Sequence, residues 1–235
     1  LVCRLVAGFA AGGEIGGVVT YLVESAEPDK RGLYGGIAMA GAMMGVLLSA
    51  VVANIVMVVF TSDQLAAYAW RFPFLFSVVT FIFGLYCRAK MQETPIFNEL
   101  KSSVLSTKKP MSRVFKHYKS TLCQSALVVA YGFIINFVII VYLPSYLSSV
   151  RHFTGGESLS LSVVALICVV LFSLLSGQVS SRRSRRKGMA ILCVILLVVT
   201  GFLVPYFSTG NYVVLLCLVS FFGALEGLYF GMQMT

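Results

Sequence analysis

Charged side chains are scarce in this 235-residue chain: 11% of its residues are Asp, Glu, Lys or Arg, and only nine of the side chains are acidic. A soluble domain of this length needs far more polar surface, so the composition excludes one. Histidine is rarer still, with His117 and His152 alone. The charge pattern described below puts them on opposite sides of a membrane, where they cannot share a metal ion or assist one serine. The six cysteines, Cys3, Cys87, Cys123, Cys168, Cys193 and Cys217, include no C-x-x-C pair. They sit in or at the ends of apolar stretches and read as small apolar residues, neither zinc ligands nor a disulfide frame. P-loop, H-E-x-x-H and G-x-S-x-G signatures are all missing. An enzyme is therefore poorly supported, and no cofactor or metal is expected. No basic start, short apolar core and small-residue cleavage site occur in the order of a cleavable signal.

What the chain has in quantity is apolar sequence: 58% hydrophobic residues and a mean hydropathy of +0.91. Apolar stretches run over 1–23, 33–60, 71–87, 121–147, 158–180, 188–207 and 212–235. Most reach the roughly twenty residues a helix needs to cross a bilayer, so seven transmembrane helices are predicted in an all-α integral membrane protein. The net charge of +9 and the run "SRRSRRKG" at 181–188 could suggest nucleic acid. The placement of the basic residues argues for a membrane instead. Lys and Arg concentrate in alternate connections, around 30–31, 88–119 and 182–187, while those near 61–70, 148–157 and 208–211 hold only Arg151. The basic connections are cytoplasmic by the positive-inside rule. The lipid bilayer, and no nucleic acid, is the large partner this predicts.

Within the spans, Gly8, Gly12 and Gly16, and then Gly41, Gly45, Ser49 and Ala53, recur every fourth residue. That spacing predicts surfaces where backbones approach closely. Glu14 lies in "GFAAGGEIGGVV" and projects to the side of its helix away from those glycines, about 80° from Arg4. Gln124, Tyr131 and Tyr142 superpose on one face within about 20°, and Glu226, Tyr229 and Gln233 cluster within about 60°. Pro144 is expected to break its helix near the outer end. The stretches 71–87 and 188–207 carry no charge in their apolar cores. A charge at the bilayer midplane costs about 2.5–3.5 kcal/mol on insertion scales, so Arg4, Glu14 and Glu226 are expected to face protein or a water-filled cavity.

The spans group as three, then a basic connection, then four. This predicts three parts: 1–88, three helices of one bundle; 89–120, a cytoplasmic central loop; and 121–235, four helices of a second bundle. In the loop, Phe97, Leu100, Val104, Val114 and Phe115 either lie along the membrane surface or belong to a solvated connector. A chain that starts at Leu1 inside an apolar helix and ends at Thr235 without a basic flank reads as an excised piece.

"RLVAGFAAGGEIGGVVTYLVESAEPDKRG", followed by "WRFPF" and "ETPIF", resembles the fourth-to-sixth helix region of the major facilitator superfamily. The resemblance is to its metabolite:proton symporter branch of proline/betaine, 2-oxoglutarate, citrate and shikimate carriers. It rests on Arg4, Gly8, Phe9, Gly12, Gly13, Glu14, Glu24, Pro28, Arg31 and Gly32, then Trp70, Arg71, Pro73, Phe74, Glu93, Thr94, Pro95 and Phe97. "YLPSYL" at 142–147 is similar to the outer end of the family's seventh helix.

The resemblance implies helices four to ten of a twelve-helix fold, with four, seven and ten lining a central cavity and six and nine outside. The polar faces read from spacing fall on the first set and the uncharged spans on the second. "GQVSSRRSRRKG" at 177–188 resembles the family's G-x-x-S-D-R-x-G-R-R signature through Gly177, Ser180, Arg182, Arg185 and Arg186. Ser181 stands where the family has Asp and Ser184 where it has Gly. Gly177, Arg182, Arg185 and Arg186 are the implied gating-loop residues.

The function implied is proton-coupled symport of a small polar metabolite across a bacterial inner membrane by alternating access, together with the remaining helices of a longer carrier. Arg4 and Glu14 would supply charged recognition or coupling. Gln124, Tyr131, Tyr142, Glu226, Tyr229 and Gln233 would shape the pocket. The helix count alone also permits a seven-span receptor or sensor.

Overall fold

The computed structural model describes residues 1–102, 110–179, 185–203, 206 and 211–233. Helices account for nearly all of them, and no strand occurs among the described residues. In chain order they are α1 (Val2–Ser25), α2 (Arg31–Val59), α3 (Ser62–Ala67), α4 (Phe72–Lys90), α5 (Pro95–Ser102), α6 (Pro110–His117), α7 (Lys119–Phe137), α8 (Leu143–Val150), α9 (Gly155–Val179), α10 (Arg185–Leu203) and α11 (Tyr212–Gln233).

Local sequence sets several of these boundaries. α1 stops at Ser25, two residues before the Glu27-Pro28 step that disfavours helical backbone at Glu27. Thr61 and Gln64 cap α3 reciprocally, each side chain bonding the other's backbone N–H, at 3.4 Å and 3.2 Å. Thr154 and Glu157 do the same at the start of α9, just after His152 takes a left-handed turn at φ 58°.

Six helical segments among the described residues are long and apolar enough to cross a membrane: Leu5–Ser25, Arg31–Val59, Ala69–Lys90, Lys119–Val150, Gly155–Gln178 and Tyr212–Gln233. The protein is an all-α membrane protein. The stretch expected as a further span, 188–207, corresponds to α10. Its apolar part among the described side chains is Gly188–Thr200.

The Pro144 expectation is corrected. The helix does not end there: α7 passes through a π-helical turn over Val138–Tyr142, where the Leu143 N–H reaches back to the Val138 carbonyl, and runs on into α8 with Pro144 in its first turn. Proline has no N–H for the carbonyl four residues earlier, that of Ile140. The Ser162 hydroxyl of α9 donates to that carbonyl at 3.2 Å, so the chain tolerates proline without breaking.

α9 is the packing centre. It lies against α11 on one side and α2 on another, and α11 also touches α2, α7 and α10. The core between them contains Met39, Met43, Ile135, Leu161, Val169, Leu196, Val219, Phe222, Tyr229 and Phe230. α1 and α4 pack chiefly on α2, and α4 has no buried residue. Their outward apolar side chains, such as Phe9 and Phe83, are the surface expected of helices that meet lipid or further protein.

The glycine surfaces differ from the expectation. Side chains added at Gly8, Gly12, Gly16, Gly41 or Gly45 would meet nothing within 4 Å, so among the described residues these stripes hold no close helix contact. Close contact occurs elsewhere. On α11 Gly223, Gly227 and Gly231 lie against α9, where a Cβ at Gly227 would stand 2.6 Å from the Val169 carbonyl oxygen. On α2 a Cβ at Gly36 would stand 2.9 Å from the Ser173 carbonyl oxygen and 3.1 Å from the Gly177 Cα. Spacing of four makes a smooth stripe on any helix, but the partner's own small residues decide which stripe is used. Here Ala165, Ser173, Ser176 and Gly177 make α9 that partner.

Candidate functional site

Two tyrosines fix how α7, α10 and α11 meet. The Tyr131 hydroxyl on α7 donates to the Cys193 carbonyl of α10 at 2.8 Å, and the Tyr229 hydroxyl on α11 donates to the Val128 carbonyl of α7 at 2.6 Å. Their rings meet edge to face with centroids 6.0 Å apart. The approach is possible because residue 132 is glycine: any Cβ there would lie 2.6 Å from the Tyr229 ring.

One turn from Tyr229, Glu226 is 1% exposed, and neither carboxyl oxygen has a hydrogen-bond partner among the described residues. The Asn136 amide on α7 is the polar side chain facing it, 7% exposed and with its own Nδ2 unpartnered. Gln233, one further turn along α11, also has buried and unpartnered amide atoms. Tyr131 and Tyr229 therefore meet where α7, α10 and α11 join, and Glu226 lies one turn away, facing α7.

The remaining candidates lie apart from that region. Glu14 is exposed on α1, and Gln124 is exposed near the start of α7. Tyr142 stacks on Tyr146 at 6.2 Å and is 63% exposed. It lines an open, apolar groove of about 660 Å³ with Ala130, Phe133, Ile134, Phe137, Val138, Val141 and Ser145. The common face expected for Gln124, Tyr131 and Tyr142 assumed a uniform helix. The wide turn at Val138–Tyr142 sets the register back, which separates Tyr142 from Tyr131. The Arg4 side chain lies outside what is described, although its backbone belongs to α1.

Of the gating-loop candidates, Gly177 sits in the α2–α9 crossing, where a Cβ would stand 2.8 Å from the Gly32 carbonyl oxygen. Arg182, with Ser181 and Ser184, lies outside the described residues; Arg185 and Arg186 open α10, with side chains outside the description.

Two features escaped the sequence reading. Asn136 falls about 120° from Gln124 on an ideal helix and so was off the inspected face. The G-x-x-x-G-x-x-x-G run at 223–231 was readable as a packing stripe. A third connection joins α1 to the central segment: the Thr94 hydroxyl donates to the Glu24 carboxylate at 2.7 Å and accepts from the Phe97 N–H at 3.2 Å, which caps α5 and ties it to the end of α1.

The helical architecture agrees with the comparison to known families, in which the model described as the Major Facilitator Superfamily matches residues 1–235. The chain belongs to the Major Facilitator Superfamily. Similar members of that superfamily are metabolite carriers by name. The chain is 27% identical over 230 residues to the "Inner membrane metabolite transport protein YhjE" of Escherichia coli (strain K12), covering 95% of this chain and 52% of that one. It is 25% identical over 188 residues to a Staphylococcus aureus (strain COL) protein whose name proposes a proline/betaine transporter, covering 80% and 40%. A Haemophilus influenzae protein whose name proposes metabolite transport is 33% identical over 147 residues, covering 63% and 33%. The chain thus spans about two-fifths to half of the length of the first two relatives. No solved structure matches it significantly. Membership in this superfamily makes the chain a membrane protein of a transporter family, not an enzyme family.

Proposed function

We propose that the protein is a secondary active transporter of the bacterial inner membrane that moves a small polar metabolite together with protons. Residues 1–88 and 121–235 act as two groups of helices joined by the cytoplasmic segment 89–120, and access alternates as one group rocks against the other. The observation that carries this reading is the crossing of α2 and α9 at Gly36 and Gly177. One helix of each group meets the other there through backbone alone, in a chain whose similar relatives bear transporter names.

In this reading Arg4 and Glu14 face the transported solute and the proton. Gln124 and Tyr142 border the same space, Tyr131, Tyr229 and Gln233 support it from the interior, and Arg182, Arg185 and Arg186 hold the cytoplasmic gate. One Arg and two Glu suit a zwitterion such as proline or betaine, and an organic acid fits the same charges.

The test is uptake into proteoliposomes of the protein expressed from its own gene, with proline, betaine and 2-oxoglutarate offered in turn under an inward proton gradient. Saturable uptake of one of them, collapsed by a protonophore, is the expected result. Glu14→Gln should reach the membrane but lose uphill accumulation. Wild-type protein that accumulates none of these solutes under any gradient would leave the receptor or sensor reading in its place.

A further inference from the structure

α6 packs chiefly on α7, and its apolar side chains Val114 and Phe115, with the adjoining Tyr118, are all exposed. On an ideal helix Lys116 falls about 150° from the midpoint of Val114 and Phe115, so one side is apolar and the other cationic. Lys116 and Lys119 are exposed as well, and neither joins an ion pair among the described residues. The sequence supplies no local partner for them, because no acidic residue occurs between Glu99 and Glu157.

Length sets the depth at which this happens. The apolar segment Lys119–Val150, which α6 leads into, has 32 residues. At 1.5 Å per residue it is about 48 Å long, close to the ~40–45 Å of a bilayer with its headgroup layers. Lys119, at its start, therefore stands at the level of the headgroups. Just before it the Tyr118 backbone leaves the helical range, at φ −120° and ψ 27°, so α6 departs from the axis of α7 at that level. In water its apolar side gains nothing. Along the bilayer surface the apolar side meets acyl chains, the tyrosine ring meets the interface, and the lysines reach phosphates.

We propose that α6 lies in the plane of the bilayer surface, where Lys116 and Lys119 bind the phosphates of anionic phospholipids and Val114, Phe115 and Tyr118 rest on the upper acyl chains. Lipid is the occupant, and not an acidic protein, because the apolar and basic side chains stand together beside the mouth of a span. Eight residues would hold weakly alone, but the covalent join to α7 keeps them at the surface. The proposal rests on α7 crossing the membrane and not on what the chain transports.

Quenching of a tryptophan placed on the apolar side tests it. The chain has one tryptophan, Trp70, so Phe115→Trp in a Trp70→Phe background gives a single reporter. The protein is reconstituted into phosphatidylcholine vesicles in which a fixed minor fraction of lipid carries bromine high on its acyl chains, either as phosphatidylglycerol or as phosphatidylcholine. Both lipids should quench, and phosphatidylglycerol should quench more at the same fraction in low salt. Lys116→Gln and Lys119→Gln should each lower that preference by up to about fivefold, and high salt should weaken it too. Quenching by neither lipid puts this side in water or beneath protein, whether more of the chain or a second copy, and overturns the proposal. Equal quenching by both leaves an apolar anchor without a headgroup site and overturns it as well, as does a preference that both lysine variants retain. Val114→Trp, on the same exposed side, repeats the measurement if the first reporter does not assemble.

Discussion

Alanine at Gly36 and alanine at Gly45 should have opposite effects, although both glycines lie on α2. At Gly36 the new methyl would meet the Ser173 carbonyl oxygen at 2.9 Å and the Gly177 Cα at 3.1 Å, where ordinary contact begins at 3.4 Å. Both obstacles are backbone and cannot swing aside, so the two helices must separate by up to about half an ångström. Forcing a methyl into a packed site costs about 1–3 kcal/mol. At Gly45 nothing lies within 4 Å, and only the helical preference for alanine acts, worth about 1 kcal/mol in favour of the variant. That preference applies at both positions and cancels in the difference. G36A should therefore be less stable than G45A by about 1–3 kcal/mol. For a chain of this size each kcal/mol moves the melting temperature by about 2–4 °C. Thermal unfolding in detergent micelles, followed by the fraction that stays monodisperse, measures the gap. A G36A protein that melts at or above G45A would refute the backbone-contact account of the α2–α9 crossing.

Three further outcomes are expected. Tyr229→Phe removes the hydrogen bond to the Val128 carbonyl, which remains within the helical ladder of α7, so it should lower stability by about 0.5–1.5 kcal/mol in the same melts; no change would show the bond to be unimportant. Thr94→Val removes both the cap of α5 and its tie to Glu24, so amide exchange over 95–102 should quicken while that of α9 stays as it was; equal protection in α5 would count against the tie. Lys116→Cys, in a background without native cysteines, should resist an impermeant thiol reagent in intact cells and react after lysis, because the proposed topology puts the basic segment 88–119 in the cytoplasm; labelling before lysis would reverse the topology.

The spans were legible because a bilayer imposes a length and a composition on any helix that crosses it, and α2, α7, α9 and α11 meet both demands in the bare sequence. Glu226 was legible for a related reason: a lone carboxylate in such a stretch is conspicuous. Its partner was not, since Asn136 becomes adjacent only when α7 and α11 pack in one register. The π turn at Val138–Tyr142 was hidden too. It is a choice made by the backbone around Pro144 and by a hydroxyl on another helix, Ser162, and it alone separates Tyr142 from Tyr131. The glycine stripes show the same limit. Gly12 and Gly227 look alike in sequence, but only Gly227 faces carbonyls of a second helix.

The carbonyl oxygen of Ser173 is approached from two directions, by Gly36 of α2 and by Gly231 of α11. Residues 36 and 231 are far apart in the chain, yet each is restricted by the same atom. Once a lineage accepts a methyl at one of them, α9 has already been displaced, and the second methyl enters a junction that is no longer tight. The two costs are then less than additive. The order in which the substitutions arise matters: the first is opposed by selection and the second is comparatively free. Descendants that drift here should lose both glycines together more often than either alone, a signature that can be sought by comparing sequences without any measurement on the protein.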